Sequence, residues 1–177
     1  MEDIEKSYRD TPSTNKKYAK RLTDYIYALI KHGRNIEAKH FFSELSKISP
    51  LHKKTIRLGY TIAIATFDND MLIKYDNLLV DSNPETSELL WFQLRYYHSR
   101  NNLLACELVS SKLLEESSKF EHISTILEVC LEQRSYSIAK PLIKVLAKHK
   151  LVLSPPTERR LKQILIEKLI NTIQGRK

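Results

Sequence analysis

Three alanines set a spacing that few folds accommodate. Ala38, Ala105 and Ala139 are separated by 67 and 34 residues, the first interval being close to twice the second. A further unit is therefore expected near Leu72, in the run Met71-Leu72-Ile73. Apolar residues recur at fixed offsets from these four anchors. Three residues on lie Phe41, Tyr75, Leu108 and Leu142; eight back lie Ile30, Ile64, Tyr97 and Leu131; nine back lie Leu29, Ala63, Tyr96 and Cys130. Four on lie Phe42, Val109 and Ile143, while the second unit departs with Asp76. Such offsets describe two amphipathic helices folded back on each other, with a small anchor residue that lets their backbones approach. One hairpin cannot bury its own apolar face, so a 34-residue period implies a stack of them.

The punctuation agrees. Gly33-Arg34-Asn35, Asp68-Asn69-Asp70, Arg100-Asn101-Asn102 and Arg134-Ser135 fall where each hairpin must turn. Pro50, Pro84 and Pro155-Pro156 fall between units, where a helix should stop. Pro141 fits only if its helix starts near Tyr136 or Ser137, so that the missing N–H belongs to the first turns. Tyr60 to Ala65 could be read as a strand, but its neighbours repeat at helical spacing. The expected fold is all-α: a right-handed solenoid of about four hairpins, with units near 20–53, 54–86, 87–120 and 121–156. A C-terminal helix over 157–174 caps it, since a stack must end on an element with one polar face. Residues 14–177 are read as a single domain and 1–13 as a disordered segment.

Several classes of chemistry find no support in the sequence. The three glycines, Gly33, Gly59 and Gly175, are isolated, so no phosphate-cradling loop of the Rossmann or P-loop kind can form. The six histidines are scattered, with none at metal-ligand spacing from a cysteine or carboxylate, and no metal or other cofactor is expected. Cys106 and Cys130 sit in apolar helical patterns, as small core residues in a reducing compartment would. No nucleophile, base and orienting group come together, so no enzyme is expected. No apolar run approaches the roughly 20 residues of a membrane helix, so no membrane insertion is expected. The acidic start, Met1-Glu2-Asp3-Ile4-Glu5, is neither a secretory signal nor a basic presequence. The expected location is intracellular, in cytoplasm or mitochondrion.

The stretch from Tyr25 to Leu45, with its paired apolar residues, Gly33-Arg34 turn, Glu37-Ala38, Phe41 and Phe42, resembles a pentatricopeptide (PPR) repeat. The related tetratricopeptide (TPR) pattern shares the alanine, the aromatic four later and a proline twelve later, met by Pro50 and Pro84. Leu45, Leu79 and Leu146 stand where TPR units prefer a small residue, which tilts the likeness toward PPR. The resemblance covers roughly 14–156 and is best in the first unit. It implies a tract that binds single-stranded RNA, one base per repeat. The residues fifteen before each anchor are Thr23, Arg57, Leu90 and Ser124, and those fifteen after are Lys53, Ser87, Phe120 and Ser154. Leu90 with Phe120 cannot read a base edge, so a base-by-base code is absent. Looser RNA binding, or a scaffold for a protein or peptide, remains.

Charge sharpens the choice. The net charge is +8, but residues 14–57 carry 11 basic and 3 acidic side chains and 148–177 carry 8 and 2, around an acidic middle. Lys16, Lys17, Lys20 and Arg21 open the first helix, and Lys53, Lys54 and Arg57 open the third. Lys20 and Lys54 are one period apart and should lie side by side, with Arg95 extending the row. Such a ladder suits a phosphate backbone; the alternative is a pair of solvated helix faces. Trp91, Arg95 and His98 form a second stripe at i, i+4 and i+7, placed either to stack a base or to pack between repeats. The reading placed first is a non-catalytic, PPR-like module that binds single-stranded RNA in RNA processing or translation. A TPR-like adaptor holding a protein or peptide is the alternative.

Overall fold

Every 34 residues or so the backbone steps into the left-handed region, at Gly33, Phe67, Asn101 and Arg134, with φ of 72, 55, 53 and 50°. Each step ends one helix and starts the next, so these four residues mark the bends of four hairpins. The computed structural model of the protein describes residues 1–175, and among them all regular structure is α-helical. The helices are α1 (Glu2–Arg9), α2 (Tyr18–Lys31), α3 (Asn35–Ile48), α4 (Lys53–Thr66), α5 (Asn69–Asp81), α6 (Thr86–Ser99), α7 (Leu103–Glu116), α8 (Phe120–Gln133), α9 (Tyr136–Lys148) and α10 (Pro155–Gln174). The hairpins are α2–α3, α4–α5, α6–α7 and α8–α9.

The bends share their chemistry. After the left-handed residue, Asp68, Asn102 and Ser135 stand as N-caps, their side chains accepting from the N–H of Met71, Ala105 and Ile138. The N–H of Arg34, Asp68, Asn102 and Ser135 reaches back to the carbonyl five residues earlier, which closes the preceding helix. Pro141 lies inside α9, which begins at Tyr136 as its tolerance requires.

The chain divides into two compact units, 1–84 and 85–177, rather than the single domain expected from the sequence. Asp76 stands where Phe42 and Ile143 are apolar, and it accepts from the Tyr60 hydroxyl at 2.9 Å inside its own hairpin.

In the first unit α2 packs against α3 and α4, and α4 against α5. The core holds Leu22, Ile26, Leu29, Ala38, Phe42, Leu45, Leu58, Ile62 and Leu79. Residues 1–13, expected to be disordered, instead carry α1. Its Tyr8 ring stacks on Tyr25 at 5.1 Å and meets Phe41 edge-on at 5.7 Å. The Arg21 guanidinium donates to the Ser7 carbonyl and the Thr11 hydroxyl. Polar composition concealed a single aromatic that covers the end of the first hairpin.

In the second unit α6 packs on α7 and α8, α8 on α9, and α10 on both α9 and α8. Three contacts tie α6 to α8 at the repeat spacing itself. Lys119 pairs with Glu85, Trp91 Nε1 donates to Thr125 Oγ1 at 2.8 Å, and His98 Nε2 meets Glu132 at 2.9 Å. The third anchor is one residue later than expected. Cys106 is fully buried, whereas Ala105 is half-exposed and Leu108, three beyond it, is 63% exposed. Counted from Cys106, Val109 and Leu113 take the places of Leu142 and Leu146 beside Ala139. The terminal helix begins two residues earlier than expected and buries Leu161 and Ile164.

Candidate functional site

The N-termini of α2 and α4 carry positive charge where helices ordinarily place acids. Neither first turn holds an acidic residue, and Lys17 and His52 are the N-caps. Cations there add to the positive end of the helix macrodipole instead of offsetting it. Because α2 and α4 are neighbours, the two ends meet at a cleft of about 280 Å³ lined by Ala19, Lys20, Thr23, Asp24, Leu45, Ser49, His52, Lys54 and Thr55.

This cleft brings together Lys20 and Lys54, the pair that the 34-residue spacing puts side by side. Both are exposed, and neither has an ion-pair partner among the described residues. Lys16 and Lys17 are exposed just before α2, where the Lys17 backbone N–H donates to Asn15 Oδ1. Lys53 is exposed beside Lys54. Asp24 is the single acid among the residues lining the cleft.

Other basic candidates are committed elsewhere. Arg21 is half-buried and holds the α1 segment through Ser7 and Thr11. Arg57 is half-buried in α4 and does not line the cleft. The Arg95 guanidinium lies over the Trp91 ring at 4.8 Å and the Phe92 ring at 5.7 Å.

The aromatic stripe joins α6 to α8. Trp91 is half-buried, stacked on His122 at 5.7 Å and edge-on to Phe92 at 4.9 Å, with its N–H taken by Thr125. His122 is itself buried, its Nδ1 2.8 Å from the Ser117 hydroxyl. Burial, followed by the nearby Lys119 charge, lowers its pKa below the ordinary value. Trp91, Arg95 and His98 thus each have partners within the second unit.

A different surface of that unit is apolar. Between α9 and α10 runs a groove of about 300 Å³ lined mainly by Ile143, Leu146, Leu151, Val152, Leu153 and Leu161, and Val152 is 94% exposed.

Burial argues against thiol chemistry. It raises the pKa of Cys106, and it pushes the Cys130 thiol up to about 12. Among the described residues no three His, Cys, Asp or Glu side chains converge as metal ligands, and no helix is long and apolar enough to cross a membrane.

Sequence reasoning missed His52, Ser49, Asp24 and Thr55 as members of the cleft. Their signal was available: Asp24 follows Lys20 by one helical turn, and Ser49, His52 and Thr55 stand within five residues of Lys54, at the start of α4 or in the turn before it. Comparison with protein families, curated proteins and solved structures finds no match to this chain.

Proposed function

We propose that the chain is a non-catalytic helical-repeat binding module, its hairpins those of a right-handed PPR/TPR-like solenoid, and that it binds the phosphate backbone of single-stranded RNA. The observation that carries this reading is the α2–α4 cleft. Lys20 and Lys54, one period apart, share it without a carboxylate partner among the described residues, and Lys16, Lys17 and Lys53 are exposed at the same two helix starts. A phosphate chain supplies the negative charge that these helix N-termini lack. Contacts of this kind position RNA without reading its bases, which suits a chain whose base-reading positions include Leu90 and Phe120.

The test is a titration with a mixed pool of single-stranded RNA at several salt concentrations. Affinity should fall steeply as salt rises, by about 0.7 in logarithmic slope for each phosphate contact. Changing Lys20→Gln and Lys54→Gln together should weaken binding to all sequences alike and flatten that slope by about 1.4. Absence of binding at low salt, or a double variant that binds as wild type does, would reject the reading.

The apolar groove between α9 and α10 favours the second reading, a TPR-like adaptor that seats an apolar peptide segment. The groove's walls are mostly aliphatic, an exposed valine stands at its rim, and its one cation, Lys162, is paired with Glu158 at 2.6 Å, which suits an apolar segment better than a phosphate.

A further inference from the structure

Thr55, third residue of α4, lines the cleft and is only 2% exposed. Neither its hydroxyl nor its backbone N–H has a hydrogen-bond partner among the described residues. The first N–H of α4 to reach the N-cap carbonyl is that of Ile56, and the His52 ring takes that of Lys54. A hydroxyl without a protein partner, on a residue almost wholly buried and opening only into a cleft, is a mark of something that binds there.

We infer that the α2–α4 cleft seats one terminal phosphate group and, resting on the RNA reading above, that its occupant is the 5′-monophosphate end of a single strand. The Thr55 hydroxyl and N–H supply two donors, and the Lys20 and Lys54 ammonium groups supply the charge. The walls favour an end over an internal linkage. α2, the end of α3 and the start of α4 each contribute lining residues to a space of about 280 Å³, room for a phosphate and its sugar. An internal phosphodiester would need the strand to leave on two sides. Asp24 sets a further limit. Its carboxylate accepts a hydrogen bond from a sugar hydroxyl and repels a second phosphate, so the site suits a monophosphate better than a triphosphate.

Fluorescence anisotropy on the whole chain, with one RNA sequence carrying either a 5′-phosphate or a 5′-hydroxyl, tests this. The phosphorylated strand should bind about tenfold tighter. Thr55→Val should abolish that preference, and Thr55→Ser should keep it. Thr55→Val should also melt close to wild type, because the hydroxyl it removes makes no hydrogen bond within the protein. Equal affinity for the two strands, or a preference that survives Thr55→Val, overturns the terminal-phosphate site and leaves backbone binding standing. Failure of both strands to bind overturns the site and the RNA reading together. A phosphoserine peptide that binds more tightly than the phosphorylated RNA overturns the assignment of the occupant to RNA.

Discussion

Gly59 shows how closely two helices can be made to approach by one missing atom. It lies in the middle of α4, and a Cβ built on it would sit 2.6–2.7 Å from three atoms of the Tyr75 ring. That ring is buried on α5 and meets Phe42 edge-on at 5.4 Å, so it has nowhere to retreat. Alanine is otherwise the better helix residue, by about 1 kcal/mol. Here the clash should outweigh that gain, and Gly59→Ala should destabilise the protein by about 1–3 kcal/mol in a denaturant titration. A neutral or stabilising result would mean that the α4–α5 contact is looser than described. In the sequence, Gly59 is one of three isolated glycines and signals only the absence of a phosphate loop. That it makes room for Tyr75 depends on which faces of α4 and α5 meet, which spacing does not specify.

At the scale of the helix, the 34-residue period was legible because hairpin geometry repeats it in several independent ways. It sets the bends, the left-handed residues and the contacts between α6 and α8. Where the reading slipped, it did so by one residue, at Ala105 against Cys106. Both are small and both lie in an apolar run, so composition could not separate them. The contacts do. Glu107 accepts from the N-cap Ser135, as Lys39 pairs with the N-cap Asp68, and these two stand one residue after Cys106 and Ala38. A pair of charge insertions distinguishes the registers. Ala139→Asp should cost about 3 kcal/mol or more through an unpaired buried charge, while Ala105→Asp should cost well under half of that. Equal losses in thermal melts would restore the register anchored on Ala105. The α1 helix was not legible at all. It contains no buried residue of its own and is held by Tyr8 and by the reach of Arg21, both long-range contacts that no local pattern reports.

Across the whole molecule, charge and fold act at different places. The basic residues of 14–57 include one group held by structure, in Arg21 and half-buried Arg57, and another left exposed, in Lys16, Lys17, Lys20, Lys53 and Lys54. Sequence counted them together; burial separates them. The aromatic stripe of α6 went the other way, since Trp91, Arg95 and His98 find partners on α8 or on α6 itself. What the sequence could place was the pair Lys20 and Lys54, because a repeat carries one residue onto the equivalent face of the next unit. What it could not place was Thr55, whose position in the wall of the cleft becomes visible only once the α4 N-terminus is set against α2. Amide hydrogen exchange with and without single-stranded RNA tests the central claim most directly, because it reports where on the chain the ligand sits. Binding through the cleft predicts slowed exchange over 16–24 and 52–57, with 143–162 unchanged. Protection confined to 143–162, with none at the starts of α2 and α4, would contradict the account.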